Sequence, residues 1–227
     1  SVFWNLEVLS LKRLAQRIGQ NAGGGAQVTL SDAGRAMALK GAMIGLRGGM
    51  KYYRSGASGA ADLMGDLMVE LRRGESDATQ LRLAADQLPP EGALAQKLYD
   101  LAAVYEEYDG RIAGKYQDGE DALRRSAQLC GQCGELKDAY VFADGFDVLP
   151  RTALRLLAAL GGVCREVYAT FDLCAADAPD AALYDPVRFS AQTLKKMCGE
   201  GGVACEFEAL ADRELPNAEL NHLSRQL

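Results

Sequence analysis

Apolar positions along this chain recur with two different spacings, and the switch between them divides it into three stretches. Asn5-Leu6-Glu7-Val8-Leu9 alternates as a strand does, and Leu11, Leu14, Ala15 and Ile18 then fall at helical spacing before Gly19. A flexible run, Asn21-Ala22-Gly23-Gly24-Gly25-Ala26, breaks the pattern. From Ser31 the spacing predicts helix after helix. Ser31 is placed to cap the first, with Asp32 in its first turn, where the positive end of the helix dipole favours a carboxylate. A second covers Ala60 to Arg73, with Leu63, Leu67 and Leu71 on one face and Gly74 as its stop. A third follows Ser76 and runs to Leu88, before Pro89-Pro90. The clearest carries Leu94, Leu98, Leu101, Tyr105, Tyr108 and Ile112 as one apolar stripe, and a fifth starts near Asp118 and runs through Leu129.

After Gly134 the pattern becomes strand–helix–strand. Ala139 to Ala143 reads as a short strand, Pro150 opens a helix through Leu154, Leu157 and Leu160, and Val167 to Phe171 reads as the next strand. A helix from Asp185 to Cys198 leads to Val203–Leu210, and the stretch after Pro216 reads as helical. Alternating strands and helices predict a parallel sheet with flanking helices. The expected architecture is an α/β layer, residues 1–30 and 136–227, interrupted by an all-helical inserted subdomain, residues 31–135.

Composition changes this picture little. The 227 residues are 48% hydrophobic and 25% charged, an ordinary balance for a chain that buries a core. The longest apolar runs fall far short of a membrane span, and no secretory signal opens the chain. It starts directly on a strand-like pattern, as an excised piece of a longer protein would. The net charge of −6 argues against strong stand-alone DNA binding through phosphate contacts, leaving room for a local basic stripe. Six cysteines, four of them scattered, read as reduced thiols of a cytoplasmic protein.

Several motifs suggest chemistry and fail its requirements. Gly23-Gly24-Gly25 follows a helix and leads to a turn, whereas a phosphate cradle follows a strand and opens a helix. Gly45-Leu46-Arg47-Gly48-Gly49-Met50-Lys51 has the wrong spacing for one. Cys130-Gly131-Gln132-Cys133 sits at the end of a helical pattern, where the dipole does not activate a thiol, and a structural zinc site needs more ligands. The single histidine, His222, removes most acid–base and nucleophile–histidine schemes. Glu106-Glu107 and Glu120-Asp121 lie on predicted helices as solvated faces.

Three segments, in order, resemble superfamily 1 helicases of the UvrD type. Val8 to Ile18 resembles a strand, a turn and a Leu-Ala-x-Arg-Ile helix, with Ser10, Leu11, Lys12 and Arg13 on the turn that in those enzymes faces single-stranded DNA. Tyr105-Glu106-Glu107-Tyr108 with Tyr116 to Leu123 resembles the family's YxxY helix and the Asp-Phe-Asp-Asp-Leu that follows it. Tyr140 to Val148 resembles the Walker B strand. There Asp144 takes the place of the Mg²⁺-binding aspartate, Gly145 stands where the water-orienting glutamate belongs, and Asp147 where the glutamine belongs. A glycine cannot orient water, so hydrolysis at such a site is lost.

That combination is similar to the AddB-type subunit of the bacterial ATP-dependent helicase/deoxyribonuclease, in the phrases VLSLKRLAQRI, LSDAGRAMALK, YVFADGFDVLP and HLSRQL. The resemblance implies a P-loop NTPase/helicase-like fold and a non-catalytic DNA-tracking or scaffold role in double-strand-break end processing and recombinational repair. It implies DNA contact through Ser10, Lys12 and Arg13, and degenerate Walker B positions at Asp144, Gly145 and Asp147. It further implies an AddA-like partner and DNA ends as ligand. The resemblance implies no cofactor in this segment, and ATP with Mg²⁺ and an iron–sulfur cluster in the parent protein. Two other readings stay open: an active DNA-dependent ATPase lacking its phosphate loop, and an unrelated helical adaptor that binds protein.

Overall fold

The computed structural model describes residues 6–23, 28–53, 60–173 and 181–210. It is an α/β structure, mostly helical, with two small parallel sheets. The helices are α1 (Leu11–Asn21), α2 (Asp32–Leu46), α3 (Ala60–Arg73), α4 (Ala78–Asp86), α5 (Ala93–Ile112), α6 (Gly119–Leu129), α7 (Arg151–Gly161) and α8 (Asp185–Glu200). The strands are β1 (Val28–Thr29), β2 (Tyr116–Gln117), β3 (Tyr140–Ala143) and β4 (Glu166–Ala169).

Local chemistry sets most boundaries. Ser10 and Ser31 cap α1 and α2, their hydroxyls accepting from the Arg13 and Gly34 backbone N–H groups. At α4 the cap is Asp77 rather than Ser76, because Asp77 and Gln80 bond each other's backbone in a reciprocal box. Asp118 caps α6. The α3 terminus also differs from the expected glycine stop: the left-handed residue is Glu75, at φ 58°, one position past Gly74. Its carboxylate is gripped by both sides of the Arg155 guanidinium, which holds the unfavourable backbone in place.

Two hydrophobic clusters form. One gathers α2, α3, α4 and α5 around Leu39, Met64, Met68, Leu101, Val104 and Tyr108. The other gathers α1, α6, α7, α8 and one face of β3–β4 around Ile18, Leu123, Leu154, Leu156 and Leu160. Helix α6 packs on both α1 and α7. The chain leaves the second group through β1 and returns to it through β2. These pair in parallel at Val28↔Tyr116 and Thr29↔Gln117, with Leu30 N–H bonding Gln117 C=O at 2.9 Å. The helices from α2 to α5 therefore spring from a two-residue ladder that ties their two ends together.

One expected strand is absent. Leu6–Leu9 is not a strand; it runs unpaired into the extended Ser10, with Leu6 and Val8 exposed. A strand exists only where a neighbour completes its ladder, and none does among the described residues. Val203–Leu210 likewise carries no regular structure. The expected helix after Pro216, with His222 and the closing HLSRQL, lies outside the described residues.

Candidate functional site

The β3–α7–β4 unit positions the Walker-like residues. β3 and β4 pair in parallel from Tyr140↔Glu166 to Ala143↔Ala169, so Asp144 emerges at the carboxyl end of the sheet, the end where α/β sheets commonly bind ligands. Asp144 is exposed and accepts a hydrogen bond from the Thr170 hydroxyl of the neighbouring strand end. Gly145 follows with φ +75° and open space on all sides of a would-be Cβ. The chain turns there through left-handed backbone, where an L side chain is disfavoured. Asp147 is exposed in the same turn, before Pro150 caps α7.

The other predicted positions lie on α1. The Ser10 hydroxyl is occupied as the helix cap, 3.3 Å from the Arg13 nitrogen. Lys12 and Arg13 are exposed, and among the described residues neither has a carboxylate within ion-pair distance. Helix α1 carries no acidic residue at all. Its outer face, Arg13, Gln16, Arg17, Gln20 and Asn21, lines an open cleft of about 480 Å³ that Glu135 closes on one side. Glu135 accepts from Arg17 at 3.3 Å and from Asn21 at 2.9 Å, and Glu7 also pairs with Arg17. Among the described residues, Arg13 is thus the cation of the cleft that has no carboxylate at ion-pair distance. Among the described residues no hydrogen bond or ion pair joins this group to Asp144 or Asp147.

Sequence reasoning missed a buried polar seam between the two clusters. Asp118, 1% exposed, accepts from Tyr108 Oη at 2.8 Å, Arg35 Nε at 3.0 Å and the Glu120 backbone at 3.1 Å. Burial alone would lift its carboxyl, but these three donors hold it below the usual carboxylate range. Arg72 pairs with Asp109 and Asp121 and lies over the rings of Tyr105 and Tyr108, 4.7 and 5.2 Å from their centroids. Glu120 accepts from the buried Thr152 hydroxyl of α7 at 3.1 Å and from Arg73 at 3.4 Å. The YxxY pair and Asp118 were both visible in the sequence; that Tyr108 bonds Asp118 was not.

Cys130 and Cys133 are buried, their thiols donating to the carbonyls of Ala127 and Ile18. Burial raises both thiol pKa values, the opposite of an activated pair. Among the described residues no three His, Cys, Asp or Glu side chains are arranged to hold a metal ion. No described helix is long and apolar enough to cross a membrane.

The family described as "ADDB, N-terminal" matches residues 1–224. The chain belongs to the AddB N-terminal family. The B subunit of the ATP-dependent helicase/deoxyribonuclease of Heliobacterium modesticaldum is 36% identical over 166 residues, covering 71% of this chain and 14% of that protein. The corresponding protein of Symbiobacterium thermophilum is 30% identical over 239 residues, covering 97% of this chain and 20% of the relative. That of Moorella thermoacetica is 31% identical over 178 residues, covering 76% and 15%. The AddB N-terminal chain thus spans a fifth or less of the length of these relatives.

Proposed function

We propose that this AddB N-terminal segment is a non-catalytic DNA-tracking and scaffold portion of a helicase–nuclease subunit that processes double-strand ends for recombinational repair. In this reading residues 1–30 and 136–227 descend from a P-loop NTPase/helicase layer, and residues 31–135 are its helical insertion. The partner is an AddA-like motor, and the ligand is the DNA strand it delivers. Any ATP, Mg²⁺ or iron–sulfur cluster is held elsewhere in the complex.

One observation carries the loss of catalysis. At the carboxyl end of β3, next to Asp144, stands a glycine in left-handed backbone, with no group to orient a water for attack. The DNA-tracking half is supported by Lys12 and Arg13, cations without carboxylate partners among the described residues, at the start of an acid-free helix. The fully assembled complex tests both halves. Lys12→Ala with Arg13→Ala is expected to weaken single-stranded DNA binding and to flatten its log–log salt dependence by about 1.4, two contacts at ~0.7 each. Asp144→Ala is expected to leave DNA-stimulated ATP hydrolysis unchanged. Hydrolysis that falls with Asp144→Ala would establish the active-ATPase reading instead. An unchanged salt slope would remove DNA contact from α1.

A further inference from the structure

Among the described residues, the β3–β4 sheet has one covered face and one bare one. Val141, Ala143, Val167 and Ala169 pack into the cluster around α7. On the opposite face Tyr140, Phe142 and Tyr168 are 49%, 68% and 48% exposed. Phe142 and Tyr168 are register partners, their rings stacked at 5.1 Å and 6°. Arg165 lies over Tyr140, 5.5 Å from the ring centroid. This contiguous aromatic surface is the kind that soluble proteins normally keep covered. Parallel strands carry apolar side chains on both faces because crossover helices cover both, and two strands alone are marginal in water.

We infer that this aromatic face is the docking site for an amphipathic helix of the same polypeptide, from the portion beyond these 227 residues. Three observations select that occupant. Relatives in which nearly the whole chain aligns are about five times longer, so the polypeptide has ample further sequence to supply it. The crossover helix α7 lies on one side of the sheet, leaving the other side to a second helix, as parallel sheets require. The charge pattern argues against a nucleic-acid strand. Glu166 stands beside Arg165 at one end of the patch and Asp144 follows β3 at the other, a mixed pattern that suits an amphipathic helix bearing charges of both signs better than the uniform negative charge of a phosphate backbone. The inference does not depend on α1 contacting DNA.

The test uses the full-length subunit with a photo-crosslinking benzoylphenylalanine in place of Phe142, the crosslinked peptides being read by mass spectrometry. The expected product is an intrachain crosslink to a peptide outside residues 1–227, with Tyr168 protected from hydroxyl-radical labelling in the unmodified protein. A crosslink to a second copy, to the DNA strand or to a residue within 1–227 overturns the inference, as does a freely labelled Tyr168. Phe142→Asp provides a second readout: exchange of backbone amides in 140–143 and 166–169 rises severalfold if a helix covers the face, and stays unchanged if solvent does.

Discussion

Asp118 has three donors and almost no solvent, so its removal is felt at each of them. Asp118→Ala leaves the Tyr108 hydroxyl unpaired and takes from Arg35 its buried partner. A loss of about 3 kcal/mol is expected in chemical denaturation of the full-length protein, at the low end for a broken buried pair because Arg35 keeps Asp32. Tyr108→Phe deletes only one charge-assisted bond and should cost about 1.5 kcal/mol. The same group shapes the acid limb of stability. The Asp118 carboxyl is depressed, and so is that of Glu75, whose largest influence is its hydrogen bond to Arg155. A depressed carboxyl contributes stability that is complete above its unfolded pKa, near 4, and drains as pH falls through its folded value. Stability should therefore decline below about pH 5, and Asp118→Asn should make that decline shallower. Asp109 works the other way, because burial outweighs Arg72 and raises its carboxyl. At Gly145 the backbone decides. Gly145→Glu places a side chain at φ +75°, and a cost of about 1–2 kcal/mol with no gain in ATP hydrolysis is expected. A gain in hydrolysis would mean that a nucleotide site survives there.

Helix α3 shows where sequence patterning stops being sufficient. Its leucines at positions 63, 67 and 71 suggest an apolar stripe, yet Leu63 is 53% exposed, and the face toward the core carries Met64, Met68 and the buried Arg72. An arginine reads as solvent-facing until two tyrosine rings and two carboxylates from other elements surround it, and those lie 33 to 49 positions along the chain. Elements with local causes were legible. Ser31 and Asp118 mark helix starts, Pro150 precedes α7, and the strand at Tyr140–Ala143 pairs in parallel with the one after α7. Elements whose cause is distant were not. The β1–β2 ladder is two residues long and has no period to read, and Leu6–Leu9 has a strand's alternation without a strand's neighbour. The site follows the same division. Asp144 at a strand end was readable, and the Thr170 hydroxyl that holds it, 26 positions later, was not. A helix-level prediction follows for α1. Ser10→Ala removes the cap and should destabilise by about 1 kcal/mol without changing the salt dependence of DNA binding, separating the serine's structural role from the cationic roles of its neighbours.

At the scale of the whole molecule, two apolar clusters meet across a polar seam. Arg35–Asp118, Arg72–Asp121, Arg73–Glu120–Thr152 and Glu75–Arg155 all run from α2, α3 or its terminal turn to α6 or α7. Arg35–Asp118 and Arg72–Asp121 are largely buried, while Arg73 and Arg155 are half-exposed; buried pairs stabilise less than the apolar contacts they replace but are exacting about geometry, and the role expected of the seam is to orient one cluster on the other. Arg72 is its centre, 3% exposed at the side chain; burial opposes its charge, yet Asp121 and its neighbours push it further toward the charged form. Arg72→Met keeps most of the side-chain volume and removes the charge, leaving Asp121 with Arg124 as an ion-pair partner and Asp109 without Arg72. If the seam sets orientation, amide exchange in the full-length variant should rise along α3 and α6, on both sides of it. Helix α4, which packs on α5 away from the seam, should keep its protection. Uniform loosening of all helices would show that Arg72 supports the fold as a whole, and unchanged exchange in α6 would show that the two clusters are joined by apolar packing alone.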